Sequence, residues 1–362
     1  MKQKIESIMR SDHSTGFLAF VLFLLSIIYA GIMKIRAYLY QWRVFRINKL
    51  PCKVISIGNI TIGGAGKTPM TIYLARMFKQ IGFRVVILSR GYKGTYEQNC
   101  AMVSDGSKIL MDARSAGDEP YLMAKQLTHV PVIVGKDRYE CGQMAIKQFS
   151  PNIILLDDAF QNLRIFRDVD IVLMDDQSPL GNSHIMPRGV LREPKSHLNR
   201  AHLFVFTRAT QNQNDLAQIK SYVANKPVFK CNHIPDKLMQ TNDAGHITRL
   251  PPETLANQTV YAFSGIANND DFLHMLAKLQ YQVVGSKHFN DHHNYHDNDL
   301  RLIETNAINA GASYLLTTEK DYVKICSQHN LKLPLFALGI QLSFGNDTKR
   351  FESTIQARVT NP

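Results

Sequence analysis

Acidic residues are in short supply. Asp and Glu number 30 against 42 Lys and Arg, which leaves a net charge of +12. A balance this basic excludes an acidic, solvating chain and fits either an anionic partner (nucleic acid, an anionic membrane surface or a phosphorylated substrate) or no more than a basic surface. Cysteine is sparse as well. The five cysteines, Cys52, Cys100, Cys141, Cys231 and Cys326, are scattered, with no CxxC pair and no ligand-like spacing to histidine. That argues against a disulfide framework or a zinc site and reads as reduced thiols in a cytosolic domain. Internal repeats and low-complexity tracts are absent, and no N-K-x-D element of a guanine-nucleotide switch occurs. Outside one amino-terminal segment there is no basic patch interleaved with aromatics, so no nucleic-acid partner is expected.

What remains is a folded globular chain, 45% hydrophobic and 20% charged, whose 362 residues suffice for two domains. Residues 16–33 carry no charge, and as a helix they would be roughly 27 Å long, marginal for spanning a bilayer core. Lys34, Arg36, Arg43, Arg46 and Lys49 follow, interleaved with Tyr38, Tyr40 and Trp42. Basic and aromatic side chains together suit a headgroup region. A signal peptide lacks its small-x-small cleavage site here, and a buried core helix is the competing reading. The favoured one is a helix inserted in or lying on a membrane, with the rest of the chain cytosolic.

From residue 49 onward, apolar runs alternate with longer mixed segments. Strands are expected at 53–58, 85–89, 130–134, 153–156, 171–174 and 203–207, with helices at 69–81 and 119–127. Continuous Val, Ile and Leu runs are the mark of strands buried on both faces of a parallel sheet. Near Asn225 the character changes: Pro227, Pro235 and a polar stretch to Pro252 read as a linker. New strands follow at 260–263, 281–284, 314–317 and 335–338. The expected units are 1–48, an amino-terminal membrane-associated helix with its basic aromatic segment; 49–225, an α/β doubly wound domain; and 226–362, a smaller α/β domain.

Residues 54–69 combine an apolar strand, a glycine-rich loop and a helix start. In Thr61-Ile62-Gly63-Gly64-Ala65-Gly66-Lys67-Thr68-Pro69, glycines let backbone N–H groups close around phosphate oxygens. The helix N-terminus adds the positive end of its dipole. Lys67 supplies a charge to the β- and γ-phosphates, the Thr68 hydroxyl can reach Mg²⁺, and Pro69 suits a first helical turn. The strict G-x-x-x-x-G-K-[ST] pattern would have Gly where Thr61 stands. The implied cofactors are ATP and Mg²⁺, and the implied class is P-loop NTPase-like. A partner carboxylate for the metal should end a buried strand, as Asp157 and Asp158 do after 153–156. Asp175 and Asp176, after 171–174, meet the same description.

Taken together, these elements resemble the tetraacyldisaccharide 4'-kinase family. The carriers are Gly58-Asn59 with residues 61–69, Ser89-Arg90-Gly91-Tyr92, Gly117-Asp118-Glu119-Pro120, Asp157-Asp158 with Phe160-Gln161, Leu191-Arg192-Glu193-Pro194, Asp291-His292-His293 and Thr318-Glu319-Lys320-Asp321. In this resemblance Thr61 is family-like. Ala159, Asn162 and Ala267 depart from the pattern. The resemblance implies transfer of the ATP γ-phosphate to the 4'-hydroxyl of a lipid A disaccharide 1-phosphate at the cytoplasmic face of the inner membrane. Membrane lipids are then the other partner, and no obligate protein partner follows. By alignment, Asp118 takes the place of the general base and His292 that of its partner, with Lys67 on the transferring phosphate. Thr68, Asp157, Asp158 and Glu193 fall toward the metal, and Arg90, Gln161 and Arg192 toward substrate or phosphate. The competing function is a membrane-associated P-loop ATPase that modifies no small-molecule acceptor.

Overall fold

The computed structural model describes residues 2–11, 15–209, 218–241, 247–325 and 331–360; Cys326 lies outside them. Among the described residues thirteen strands form one mixed sheet. They are β1 (Lys53–Asn59), β2 (Val85–Ser89), β3 (Ala101–Ser104), β4 (Val132–Val134), β5 (Ile153–Asp157), β6 (Val169–Asp175), β7 (Leu203–Thr207), β8 (Val228–Thr241), β9 (Ile247–Leu250), β10 (Thr259–Ser264), β11 (Gln282–His288), β12 (Tyr314–Thr318) and β13 (Leu335–Ser343). Across the sheet the order is β11-β10-β12-β13-β8-β7-β6-β1-β5-β2-β4-β3, with β9 beside β8. The strands around β1 are parallel and covered on both faces, which is why they read as unbroken apolar runs.

The stretch expected as a linker is instead built around β8. Its first residues, Val228–Cys231, pair in parallel with β7. Residues 232–239 then pair antiparallel with β13, and its last four with β9. Two prolines hid this strand, since proline removes a ladder donor and is confined to strand starts, edges and bulges. Pro227 precedes the strand. Pro235 sits where the register with β13 shifts between Gly339 and Ile340. The two halves of the chain are thus joined through a common strand.

The helix Lys67–Gln80 follows β1 and buries Met70, Leu74, Ala75 and Phe78 against the first half of the sheet. The same core receives Phe351, Ile355 and Val359 of the helix Thr348–Thr360. Those residues fall in the second expected unit by position, yet they pack on the first. Phe344 and Phe351 stack at 4.0 Å, and the Tyr73 hydroxyl donates to Glu352 at 2.7 Å.

The apolar amino-terminal segment is a helix, Phe17–Gln41. Only 22% of its most apolar window is buried. It presents Phe17, Phe20, Ile27, Ile28, Ile32 and Ile35 to the outside. A large apolar side chain left in water forgoes about 1.5–3 kcal/mol, so this face does not belong to a core helix. The inner face rests on the short helix Lys2–Arg10 through Ile8, Ala19 and Leu22. Tyr29 donates to the Arg192 carbonyl at 3.3 Å, and Arg36 to the Gln161 carbonyl at 3.1 Å. We expect removal of residues 1–34 to shift the protein from sedimenting phospholipid vesicles to the supernatant. Unchanged partitioning would return this helix to the core reading.

Candidate active site

β1 ends in the glycine-rich loop between the sheet and the helix Lys67–Gln80. Gly66, the residue before that helix, is left-handed at φ 78, ψ 23, and Gly63 has φ 120. Both values disfavour a side chain. Space matters at Gly66 too, where a Cβ would lie 3.0 Å from the His233 ring. The helix therefore begins with no capping side chain over its N–H groups, which leaves them for an anion.

Lys67 is 9% exposed and folds back over the loop, with Nζ 3.5 Å from the Gly63 carbonyl and 3.8 Å from Asp158. Asp158 also receives Arg192 Nη1 at 2.9 and 3.0 Å on its two oxygens. Burial alone would raise the Asp158 carboxyl; Lys67 and Arg192 outweigh it and hold the group below its ordinary value. Its backbone is left-handed at φ 47, a strained conformation of the kind concentrated at functional sites.

Asp157 is different. It is 1% exposed and accepts from Thr71 and from Ser89, each at 3.1 Å. Burial pushes its carboxyl up to about 7, helped by the charges of Glu119 and Asp158. Thr71 and Ser89 were missed as partners. Thr71 lies four residues after Lys67, on the same helix face, and Ser89 opens the quoted Ser-Arg-Gly-Tyr element.

The second half supplies the opposite wall. His292, itself left-handed at φ 61, donates from Nδ1 to Asp118 Oδ2 at 3.2 Å. The two lie 174 positions apart in sequence. His292 faces the cleft, while Asp118, at the first turn of the helix Asp118–Gln126, lies behind it. Tyr92 packs edge-on to the His292 ring at 5.7 Å. Burial would raise the Asp118 carboxyl, but His292, Lys324 and Lys320 together hold it below its ordinary value.

The cleft between these walls measures about 1860 Å³. Single-ligand pockets run to roughly 1,000 Å³, so this one has room for a nucleotide and a second substrate. It runs from the phosphate loop past Glu119, His292 and Lys320 to Tyr29, Met33 and Arg36 of the apolar helix.

The remaining expected residues are placed unevenly. Gln161 lines the cleft and donates to the Asn59 carbonyl at 2.8 Å. Arg90 lines it too, half-exposed and paired with Glu97 at 2.6 Å. Glu193 does not line it: its carboxylate is wholly buried, with Oε2 paired to Arg200 and 3.3 Å from His197. Neighbouring residues in an extended segment point to opposite sides; Arg192 turns to Asp158, so Glu193 turns inward. A direct metal role for Glu193 is therefore not supported by its position here. Asp175 is engaged by Arg208 and Asp176 by Lys230, and neither lines the cleft.

The family model for the tetraacyldisaccharide-1-P 4'-kinase matches residues 18–360. The chain belongs to the tetraacyldisaccharide 4'-kinase family. It is 41% identical to the tetraacyldisaccharide 4'-kinase of Desulfatibacillum aliphaticivorans, over 99% of this chain and 98% of that one. It is 38% identical to that of Syntrophus aciditrophicus, over 92% and 91% of the two chains. A crystal structure of LpxK from Aquifex aeolicus in complex with ATP superposes with a TM-score of 0.75 at 31% identity, covering 95% of this chain and all of that one. As a tetraacyldisaccharide 4'-kinase the chain is an ATP-dependent enzyme of lipid A synthesis, which excludes the acceptor-free ATPase.

The residues present fit both ATP and its metal. The loop offers uncapped N–H groups and a buried lysine. Among the described residues no cluster of three or more His, Cys, Asp or Glu forms a closed metal cage. Mg²⁺ rarely uses one; it keeps waters and takes one or two carboxylates plus phosphate oxygens. A carboxylate as ill at ease as Asp157 is one that a divalent cation would relieve.

Proposed function

We propose that this kinase transfers the γ-phosphoryl group of ATP to the 4'-hydroxyl of an acylated glucosamine disaccharide 1-phosphate at the cytoplasmic face of the inner membrane. The observation that carries this reading is the Asp118–His292 pair, held at 3.2 Å in the wall of the cleft that also contains the phosphate loop.

When bound, Mg-ATP would supply the phosphoryl group, the ADP leaving group and a charge-neutralising cation. The chain's own groups do the rest. Backbone N–H groups of the loop from Gly63 to Thr68 would hold the phosphates, and Lys67 sets a positive charge where negative charge spreads in the transition state. Thr68, Asp158 and Asp157 would hold the metal, and Arg192 keeps Asp158 in place. Asp118 and His292 act as one proton-accepting unit. Asp118 fixes the Nδ1–H tautomer of His292, and the pair takes the hydroxyl proton as the sugar oxygen bonds to phosphorus. A carboxylate held this acidic is a weak base by itself. The transition state is loose, however, so the hydroxyl proton need move only late, and orientation counts for more than basicity. Arg90 and Gln161 face the substrate end of the cleft. The apolar helix Phe17–Gln41 sits in the membrane surface beside the cleft mouth at Tyr29 and Arg36, so acyl chains can stay in lipid while the sugar enters.

The test is a reaction of purified protein with Mg-ATP and detergent-dispersed lipid A disaccharide 1-phosphate, followed by analysis of the phosphorylated hydroxyl. Phosphate on the 4'-oxygen is expected. Phosphate elsewhere, or ATP hydrolysis without a phosphorylated lipid, would overturn the reading.

A further inference from the structure

The Thr318-Glu319-Lys320-Asp321 element has no role in the chemistry above. It opens the helix Glu319–Ile325, on which Lys320 and Lys324, four residues apart, share a face. That face meets the first turn of the helix Asp118–Gln126. Lys324 Nζ stands 3.5 Å from Asp118 Oδ2, and Lys320 Nζ stands 3.4 Å from Glu119. The two lysines thus match two consecutive acids across the two halves of the chain.

Lys324 is the more constrained. Its side chain is 6% exposed and lies outside the cleft lining. Its ammonium is 2.9 Å from Asp321, donates to the His293 carbonyl at 2.9 Å and lies 5.3 Å from the Tyr295 ring centre. Asp321 is fully buried and is itself pinned by the Gly265 N–H at 2.9 Å and the Thr318 hydroxyl at 2.8 Å. The Gly265 carbonyl in turn accepts from the His292 N–H at 3.2 Å. One buried carboxylate therefore anchors both Lys324 and the backbone that carries His292.

We propose that Lys324 is a positioning residue for phosphoryl transfer: it clamps the Asp118 carboxylate, charged and oriented, against His292. The inference rests on the reading of Asp118 and His292 as the proton-accepting pair. The charged and titratable groups around Asp118 are His292 and Asp291 on the loop after β11, Lys320, Asp321 and Lys324 on the facing helix, Tyr295, and Glu119 on its own helix. Among these groups the hydrogen-bonding and ion-pair partners of the Asp118 carboxylate are His292 and Lys324. Removing Lys324 strips a positive charge from 3.5 Å beside the Asp118 carboxylate, which raises the proton affinity of Asp118.

The experiment is the pH dependence of kcat/KM for Lys324→Met and Lys324→Arg. In Lys324→Met the acid limb should move upward by roughly one pH unit or more, the usual effect of an adjacent opposite charge. Its kcat should fall while KM for ATP stays within about twofold, because the residue lies outside the cleft lining. Lys324→Arg keeps the charge and should keep the limb near its parental position. Should Lys324→Met fold poorly because Asp321 is stranded, Lys324→Met with Asp321→Asn removes both charges and is read in the same way. An acid limb that stays put in a folded, charge-free variant overturns the proposal even if activity drops. A fully active Asp118→Ala enzyme overturns the underlying reading; an impaired Asp118→Ala beside an unmoved limb in Lys324→Met overturns this inference alone.

Discussion

Lys67→Ala should lower turnover by at least about a hundredfold, as loss of one preorganised electrostatic donor does. The ammonium is 9% exposed at the start of a helix whose N–H groups carry no side-chain cap. Charge spreading over a transferring phosphoryl group would meet it there at low local dielectric. Replacement is not at hand, because Arg192, the other cation on Asp158, is committed to that carboxylate through both oxygens. The loss is compounded at Asp158, where burial would then be opposed by fewer positive charges. Single-turnover phosphorylation by a variant with a parental melting curve measures the effect. Near-normal turnover would remove Lys67 from the chemistry and the phosphate-loop assignment with it.

The second large effect concerns the pair opposite. Asp118→Ala and His292→Ala should each cost on the order of a hundred- to ten-thousandfold in kcat, the range of positioned acid–base groups. The double variant should lose little more than the worse single variant. Groups that act as a unit are strongly non-additive, since removing either already disables both. The 3.2 Å contact and the buried setting of Asp118 are the physical grounds. Fully multiplicative losses would mean two independent roles.

The phosphate loop was legible in sequence because all its parts are local: a buried strand, glycines, a lysine and a helix start within sixteen residues of chain. Asp157 and Asp158 were legible as strand-end acids, yet their division of labour was not. It depends on Thr71 and Ser89 reaching one and on Lys67 and Arg192 reaching the other, which are contacts between distant segments. The pairing of Asp118 with His292 followed from family resemblance; no local pattern announces a contact across 174 positions. β8 escaped notice because its first residues pair in parallel with β7 and the following ones antiparallel with β13, and Pro227 and Pro235 mimic a linker. The inward turn of Glu193 was not legible either, because an Arg-Glu dipeptide does not say which of the two will turn inward. Lys324 had no signal beyond its spacing from Lys320, a helical repeat that usually marks a solvated face.

The return of the helix Thr348–Thr360 to the first half has a consequence for synthesis. Chains emerge from the ribosome at roughly 5–20 residues per second, and amino-terminal portions ordinarily fold first. Here the outer side of the nucleotide-binding half is covered by Phe351, Ile355 and Val359. Those residues are translated only after all of β9 to β13, so for several seconds the nascent nucleotide-binding half has an unsealed apolar flank. The apolar helix Phe17–Gln41 has by then long been available to bilayer lipid. Closure of the nucleotide-binding core is therefore the last step of assembly.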